Sequence, residues 1–229
     1  MDQLGIFAKY WEPGKVKTRL GAQIGQGRAS RLYRAFLDTT LARLAQVAQR
    51  RVLAFTPSER QEDFAQLADN AWVVEPQSNG DLGHRMWRYF EAAFAAGARR
   101  VVLLGSDSPT VTLELIQQAF DHLEESEVVL GPTHDGGYYL VGAAGGAPPI
   151  FDNISWSSST VWQQTVERLH DAGCSYAELP KWYDVDDRND LLRLEQDLRS
   201  RAECDLHLRR LQTIVQEVIQ SLTKEERSS

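Results

Sequence analysis

The sequence predicts an α/β fold in which a sheet is sandwiched between helices, a three-layer α/β/α arrangement. Short apolar runs alternate with longer segments of helical period along most of the chain, as they do when strands and helices take turns. The run 101–104 is apolar throughout, which is expected of a central parallel strand covered on both faces. With 229 residues, 42% of them apolar, the chain can bury a core without disulfides or a structural metal.

Each predicted element follows from its local pattern. The predicted strands are short apolar runs next to turn residues, and they cover 4–8, 52–55, 72–75, 101–104, 128–130, 136–142 and 176–179. The predicted helices have apolar residues at a period of about 3.6, and they cover 28–49, 58–68, 80–97, 112–123, 157–172, 189–198 and 205–222. A loop rich in Gly, Pro and Lys is expected over 9–27.

No repeat, low-complexity stretch or clear linker divides the sequence. We therefore expect one domain over residues 1–204, followed by a C-terminal helix and a polar tail over 205–229. That helix carries an apolar stripe at 3-4-3-4 spacing, formed by Leu208, Leu211, Val215, Val218 and Leu222. Such a stripe either packs on the chain's own domain or forms the contact of a homodimer.

The charge and the cysteines exclude several classes of protein. A formal net charge of −7 repels nucleic acid and acidic membranes, so neither is expected as a partner. No apolar run approaches the roughly 20 residues of a membrane span, and residues 1–4 have no signal-peptide pattern. Cys174 and Cys204 are too far apart to suggest a disulfide framework or a zinc site. A cytoplasmic location is expected.

A basic segment, Lys9–Leu20, follows the first predicted strand. Four cations and one Glu give it a net charge of +3 in an acidic chain. Pro13 and Gly14 allow a tight turn, so backbone amides and basic side chains could together hold a phosphate group. The segment is not a Walker loop, because Gly14-Lys15 is followed by Val16. The alternative is a solvated basic loop.

Two acidic segments could hold a metal. Asp107 follows the apolar strand 101–104, at the end where α/β sheets bind ligands, and a carboxylate there suits Mg²⁺ or Mn²⁺. Asp184 and Asp186 alternate on an extended segment and so share a face. The alternatives are a cap for the next helix at Asp107 and an exposed acidic helix N-terminus at 184–187.

Two further segments contain glycines next to polar groups. Residues 131–140 join two predicted strands through Asp135, Gly136 and Gly137, and could form the floor of a ligand site. Residues 77–86 precede a predicted helix, where free amides attract ribose or phosphate oxygens. The alternative for this second segment is a plain turn with Asp81 as the N-cap.

The order of these segments resembles one known family. It is F-A-K-x-x-x-P-G-x-V-K-T-R-L, G-D-L-G-x-R-M, G-S-D-x-P, G-P-x-x-D-G-G-Y-Y-L-x-G, W-S and D-V-D. It resembles the nucleotide-diphospho-sugar transferase group of the glycosyltransferase-A superfamily, some members of which are associated with radical-SAM or selenium-related domains. It is also similar to the molybdenum-cofactor and phospholactate guanylyltransferases. The likeness covers about residues 4–194.

The resemblance implies a Rossmann-like fold with a nucleotide half over about 1–110 and an acceptor half over about 111–204. It implies phosphate binding by Lys9, Gly14, Lys15, Lys17 and Arg19, and base or ribose binding by Gly80, Asp81, Gly83 and Arg85. Asp107 and Asp186 would bind Mg²⁺ or Mn²⁺. The acceptor would contact Asp135, Gly136, Gly137, Tyr138, Trp156 and Ser157. The catalytic candidates are Asp107, Asp135 and Lys17, with Asp135 as the base.

The sequence departs from the family pattern at three places. Trp11 stands where Pro is usual, the metal motif Ser106-Asp107-Ser108 has one carboxylate, and residues 187–190 replace the usual Thr-Pro-Glu-Asp. The second departure makes metal affinity depend on another segment, and Asp186 is the best candidate.

Three functions are compatible with these residues. The leading hypothesis is a metal-dependent transferase with a nucleotide-diphosphate sugar as glycosyl donor. The alternative is a nucleotidyltransferase that condenses a nucleoside triphosphate with a phosphorylated acceptor. A third possibility is a protein that binds sugar nucleotides without catalysis.

Overall fold

The computed structural model describes residues 1–201 and 205–228, with side chains to residue 225, and it confirms the predicted α/β fold. Seven strands form one mixed sheet: β1 (Asp2–Lys9), β2 (Arg50–Thr56), β3 (Val73–Pro76), β4 (Arg100–Leu104), β5 (Val128–Pro132), β6 (Tyr138–Ala144) and β7 (Tyr176–Glu178). The α-helices of the described ranges are α1 (Thr18–Ile24), α2 (Gln26–Arg43), α3 (Gln61–Ala68), α4 (Leu82–Ala95), α5 (Leu113–His122), α6 (Val161–Asp171), α7 (Arg188–Arg201) and α8 (Leu206–Ser228).

The strand order is β3-β2-β1-β4-β6-β5-β7, and the pairs β2–β3, β1–β4 and β5–β7 are parallel. β4 pairs in parallel with β1, whereas β6 is antiparallel to both β4 and β5. The short turn 133–137 joins β5 to β6, and the amide of Thr133 bonds the carbonyl of Gly137 at 3.0 Å. A turn this short can only reverse the chain, so β6 must run antiparallel to β5. Residues 101–104 were predicted to lie between parallel strands. The prediction is correct for the neighbour β1 and wrong for the neighbour β6.

Two glycines let aromatic rings lie directly on the sheet. A Cβ on Gly131 of β5 would lie 2.5 Å from Cζ of Tyr139. A Cβ on Gly5 of β1 would lie 2.5 Å from Cζ of Tyr89, whose hydroxyl accepts a hydrogen bond from the buried Gln3 amide at 2.9 Å. Larger side chains at either position would displace a ring from the core.

The chain divides into two compact units that interleave along the sequence. Unit 1 comprises Met1–Ala8, Leu44–Gly105 and Val111–Tyr183, and unit 2 comprises Lys9–Arg43, Ser106–Thr110 and Asp184–Ser229. Unit 2 therefore contains α1, α2, α7 and α8, together with the segments that follow β1 and β4 in the chain. The predicted nucleotide and acceptor halves follow the linear sequence and stay a prediction.

The segment 9–27 was expected to be a loop, but it contains α1. The pattern misses this helix because it has seven residues and a glycine in its middle. A Cβ on Gly21 would lie 2.5 Å from Oε1 of Gln26, the end of a flexible side chain that would have to move. The predicted helix 28–49 is also shorter than expected and ends at Arg43.

The apolar stripe of α8 packs inside unit 2. Its five residues are 8% exposed or less, and α8 contacts α2 and α7. Each buried side chain of this size contributes about 1.5–3 kcal/mol, so the stripe holds the helix on its own domain. Of the two alternatives for the stripe, packing on the chain's own domain is therefore the correct one, and a homodimer through another face of α8 stays a prediction.

No helix within the described ranges is both long and apolar enough to cross a membrane. Cys174 is free, and Cys204 lies outside the described residues.

Candidate functional site

The side chain of Lys17 is the centre of a charged cluster in unit 2. Its Nζ lies 2.5 Å from Oδ1 of Asp107 and 3.0 Å from Oδ1 of Asp186. The other carboxylate oxygen of Asp186 accepts a hydrogen bond from Arg19 Nη2 at 2.5 Å. We call Lys17, Arg19, Asp107, Asp184 and Asp186 the lysine–carboxylate cluster. Its five members come from three predicted motifs that are more than 75 residues apart in sequence.

Backbone and hydroxyl contacts hold the segments of the cluster together. The segments that contain Lys17 and Asp107 follow β1 and β4, which are adjacent parallel strands. The amide of Val185 donates to the carbonyl of Asp107 at 3.0 Å, which fixes the third segment. Ser108 donates to a carboxylate oxygen of Asp184. The cluster therefore depends on main-chain pairing as well as on charge.

Tyr33 of α2 joins two of these segments. Its buried hydroxyl accepts a hydrogen bond from the amide of Lys9 at 2.9 Å and bonds Oγ of Ser106 at 2.8 Å. Burial raises the pKa of this phenol to about 12, with a further contribution from the charge of Asp107. The neutral hydroxyl can therefore accept from one segment and donate to the other.

Lys17 has an unusual backbone conformation. Its φ and ψ are 47° and 46°, in the left-handed region, directly before the first residue of α1. A residue with a Cβ pays about 1 kcal/mol or more for this conformation. The side chain is 3% exposed although it is charged. Strain of this kind persists where the surroundings require it and is common at functional sites.

The charges of the cluster shift one another's pKa values. Burial disfavours the charged form of Lys17, but the carboxylates of Asp107 and Asp186 outweigh burial and raise its pKa. For Asp186, burial is outweighed by Lys17 and Arg19, so its pKa is lowered. Burial and the charge of Asp107 raise the pKa of Asp184 to about 7, because the hydrogen bond from Ser108 and the charge of Lys17 offset them only in part. The cluster thus pairs two cations with two carboxylates and holds a third carboxyl, that of Asp184, whose charged form is disfavoured.

Two oxygens of this cluster suit a divalent cation. Asp107 and Asp186 both lie within 3.0 Å of the same nitrogen, so they can share one cation. In the described part of the chain, no three His, Cys, Asp or Glu side chains form a ready metal group. Mg²⁺, however, is commonly held by only one or two carboxylates together with substrate phosphates. The hard oxygen donors of Asp107 and Asp186 therefore fit Mg²⁺ or Mn²⁺ that arrives with a phosphate.

The remaining basic residues of the loop face solvent. Lys9 and Lys15 are exposed, and neither pairs with a carboxylate among the described residues. Gly14 has a φ of 81°, and the amide of Lys15 bonds the carbonyl of Glu12 at 3.0 Å, which closes the expected turn. The predicted phosphate segment thus has one buried cation in the cluster and exposed cations around it.

The predicted ribose segment lies in unit 1. Asp81 caps α4 by accepting a hydrogen bond from the amide of His84 at 2.8 Å. This is the N-cap that the alternative interpretation, a plain turn, predicts for Asp81. Arg85 donates from Nε to the carbonyl of Gly80 at 2.9 Å. Gly83 lets the loop after β6 pack closely, because a Cβ there would lie 2.7 Å from Nε1 of Trp156. Hydrogen bonds within the segment thus determine its conformation.

The predicted acceptor segment also lies in unit 1. Asp135 accepts from the hydroxyl of Thr133 at 2.5 Å and from the amide of Gly137 at 3.3 Å, so it shapes its own turn. Gly136 has a φ of 91°, and its carbonyl accepts from the amide of Trp162 at 2.8 Å.

The rings of two predicted acceptor residues meet in this unit. Tyr138 and Trp156 are edge to face, with centroids 6.3 Å apart. Burial raises the pKa of Tyr138. Ser157, the next residue after Trp156, has a positive φ of 65°. The structure thus brings Gly83, Tyr138 and Trp156 together.

Sequence reasoning missed three contributors to the cluster. Tyr33 looks like one of the apolar positions of a helix, so no pattern marks it. Ser108 was seen only as part of a motif. Asp184 was noted as sharing a face with Asp186, but it was given no role. The D-V-D alternation places Asp184 on the same face as Asp186, and it was the signal that could have assigned Asp184 to the cluster.

Solved structures of several proteins share this fold. A protein from Desulfovibrio desulfuricans G20, named "putative nucleotide-diphospho-sugar transferase", is 34% identical over 95% of this chain and 97% of that chain, with a TM-score of 0.82. A cytidylyltransferase from Leptospira borgpetersenii serovar Hardjo-bovis is 14% identical, with coverage of 98% and 94% and a TM-score of 0.56. A CMP:2-keto-3-deoxy-manno-octonic acid synthetase complexed with CTP is 12% identical, with coverage of 87% and 98% and a TM-score of 0.54.

The last two likenesses show the fold alone, because their sequence identity is low. The first confirms the predicted resemblance and supports the prediction of an enzyme of the transferase class. No curated protein matches this sequence. The family model described as "Uncharacterized protein conserved in bacteria (DUF2064)" matches residues 39–158, which is more than half of the chain. The chain therefore belongs to the DUF2064 family.

Proposed function

We propose that the protein is a metal-dependent transferase whose glycosyl donor is a nucleotide-diphosphate sugar. One observation carries the proposal: Lys17, Asp107 and Asp186 converge in a single cluster, and the exposed Lys9 and Lys15 belong to the same unit. Such a set of cations and carboxylates suits a diphosphate that is bound together with a divalent cation. The 34% identical relative carries the name of the same class of transferase.

Glycosyl transfer places negative charge on the departing diphosphate, and each cation has a role there. Mg²⁺ or Mn²⁺ held by Asp107 and Asp186 would supply Lewis acidity at the phosphate oxygens. Lys17 would donate to the same diphosphate, and Arg19, Lys15 and Lys9 would neutralise it from the solvent side. Because these groups bind the leaving group, they would lower the barrier more than they tighten substrate binding.

The acceptor would bind in unit 1 at Tyr138 and Trp156, whose rings can cover an apolar face of a sugar or alcohol. Asp135 would accept the proton of the attacking hydroxyl. Its carboxylate now accepts two hydrogen bonds from its own turn, and an acceptor hydroxyl would be a further donor to it. An acidic chain with a free Cys174 would suit the reducing cytoplasm.

The first test is a screen with the purified protein and Mn²⁺. Nucleotide-diphosphate sugars of each base should raise the melting temperature, because ligands that bind the native state stabilise it. A mass-spectrometric product screen against alcohols and sugars then identifies the acceptor. Stabilisation by nucleoside triphosphates alone, with pyrophosphate as the product, would contradict the glycosyl donor. Tight binding with no product from any acceptor would contradict catalysis.

The second test replaces a metal ligand. Asp107→Asn should lower donor turnover by about 10³-fold, because it removes charge where the leaving group is stabilised. Asp171→Asn is the matched control, since Asp171 is exposed at the end of α6 in unit 1. It should change turnover less than twofold. Equal turnover of the two variants would contradict the assignment of Asp107.

A further inference from the structure

Both predicted metal ligands already bind a cation that belongs to the chain. The ammonium of Lys17 lies 2.5 Å from Asp107 and 3.0 Å from Asp186. A divalent ion bound by the same oxygens would lie 2.0–2.1 Å from each of them if it were Mg²⁺. The ion and the ammonium would then share one small space, and their positive charges would repel each other. The present arrangement of Lys17 therefore excludes a metal ion that binds these two oxygens together.

The ammonium cannot simply leave for solvent. Its side chain is 3% exposed, whereas that of Arg19 is 71% exposed. Lys17 also begins α1 in a left-handed backbone conformation, and its carbonyl accepts from the amide of Gly21 at 2.7 Å. A buried ammonium that loses its carboxylates needs another anion nearby. Phosphate oxygens supply such an anion, because each forms a charge-assisted hydrogen bond with an ammonium.

We propose that Lys17 is a gate that couples metal binding to diphosphate binding. In the ligand-free protein its ammonium occupies the place between Asp107 and Asp186. A diphosphate attracts the ammonium toward its own oxygens, and the two carboxylates then become available to the metal. The gate rests on the metal and the diphosphate of the proposed function, and it makes Lys17 a positioning residue for the metal as well as a phosphate ligand.

The gate has two consequences that follow from linkage. The diphosphate raises the affinity for the metal, and the metal raises the affinity for the diphosphate by the same factor. The ligand-free protein also keeps Asp107 and Asp186 neutralised, so it is protected from stray divalent ions. A simple clamp that only stabilises the fold predicts neither effect.

The decisive experiment measures Mn²⁺ binding by electron paramagnetic resonance of free Mn²⁺, with no nucleotide present. Lys17→Met should bind Mn²⁺ about tenfold more tightly than the unsubstituted protein, because the competing ammonium is gone. Lys17→Arg retains a cation and should keep the weak affinity. Lys181→Met is the matched control, since it removes the same charge from an exposed position outside the basic loop. It should change Mn²⁺ affinity less than twofold.

The Lys17→Met variant should respond in the opposite direction to an anion. Lys17→Met should bind inorganic pyrophosphate about tenfold more weakly by calorimetry in metal-free buffer, because a charged donor is lost. A gain for the metal and a loss for the anion in one variant cannot come from a general loss of structure. The double variant Lys17→Met/Asp107→Asn should lose the gain in Mn²⁺ affinity, which would show that Asp107 provides it.

A further measurement needs no substitution at Lys17, in case that variant does not fold. Inorganic phosphate should increase Mn²⁺ binding by the unsubstituted protein, after a protein-free titration corrects for the Mn²⁺ that phosphate complexes. Equal Mn²⁺ affinity of the Lys17→Met and unsubstituted proteins would overturn the gate while leaving a metal site intact. Absence of any phosphate effect would overturn it as well. Failure of every nucleotide sugar in the product screen would instead overturn the proposed function, whatever the Mn²⁺ result.

Discussion

The candidate groups of unit 2 and those of unit 1 are held in opposite ways. In unit 2, Lys17 binds Asp186 across 169 residues of sequence and bridges it to Asp107. In unit 1, Asp135 and Asp81 bind groups two or three residues away. Local hydrogen bonds such as these fix the backbone of a turn, and the turn loses its shape if they break. Long-range charge pairs can exchange one partner for another when a ligand arrives. The difference indicates that the contacts of the lysine–carboxylate cluster can exchange partners, whereas the turn at Asp135 is a fixed loop.

A substitution that disturbs the backbone of a fixed loop should lower the free energy of unfolding. We expect the largest loss from a substitution at Gly136. A Cβ there would lie 2.8 Å from the carbonyl carbon of Ser159, and its φ of 91° already disfavours other residues. Gly136→Ala should therefore lower the free energy of unfolding by about 3 kcal/mol, since neither backbone segment can shift cheaply. Urea unfolding followed by circular dichroism measures this loss.

Gly145→Ala is the control for this prediction. Gly145 has a φ of 78°, but a Cβ there would meet nothing within 4 Å. Its substitution should cost about 1 kcal/mol, from the backbone conformation alone. If both variants lose the same stability, the close packing of the loop against Ser159 does not hold the acceptor segment.

The next prediction concerns Tyr33, which connects distant segments of unit 2. Tyr33→Phe leaves the amide of Lys9 and the buried hydroxyl of Ser106 without this partner. Unsatisfied buried groups cost about 1–3 kcal/mol, so we expect a loss near 2 kcal/mol and weaker pyrophosphate binding. The measurements are urea unfolding and calorimetry.

Tyr176→Phe serves as the comparison in unit 1. Tyr176 is half-buried, and its hydroxyl makes no hydrogen bond with another described residue. We expect a change within about 0.5 kcal/mol and no effect on pyrophosphate. A Tyr33→Phe protein that matched this control would show that the cluster does not need the hydroxyl bridge.

The sequence predicted much of the fold, because strand and helix patterns are local. β4 and β2 were placed to within two residues, since apolar runs bounded by turns are distinctive. α1 was missed because a seven-residue helix with an internal glycine has too few periods to detect. The direction of β6 depended on a turn whose length the predicted boundaries left open.

The site was predicted in its members but not in its connections. Lys17, Asp107 and Asp186 were each named from motifs. Their mutual binding depends on the left-handed backbone of Lys17 and on the hydrogen bond from Val185 to Asp107, and neither is visible in sequence. Tyr33 could not be distinguished from the apolar positions around it in α2. The proposed gate depends on which groups contact Lys17 in three dimensions. The spacing of motifs in the sequence does not show these contacts, so it cannot predict the gate.

The smallest expected effect compares one helix cap from each unit. Asp205 caps α8 by accepting from the amides of His207 and Leu208 at 2.8 and 3.1 Å, and it also accepts from Arg43 at 2.8 Å across 162 residues. Asp81 caps α4 with a purely local bond. Asn is itself a good N-cap, so replacing each Asp by Asn removes the charge and keeps most of the cap. We expect losses of about 1 kcal/mol for Asp205→Asn and a few tenths for Asp81→Asn.

The pH dependence separates the two caps further. Partial burial opposes ionisation of Asp205, but Arg43 and the two amides outweigh it and lower its pKa below the ordinary value of 3.8. Between the lowered pKa and pH 3.8, the native state therefore binds fewer protons than the unfolded state. The contribution of Asp205 to the free energy of unfolding is present above pH 3.8 and is lost as the pH falls through the lowered pKa. The difference in unfolding free energy between the unsubstituted protein and Asp205→Asn should shrink from pH 6 to pH 3. A constant difference over that range would mean that Asp205 acts only as a local cap, as Asp81 does, and that the bond to Arg43 contributes no charge-dependent stability.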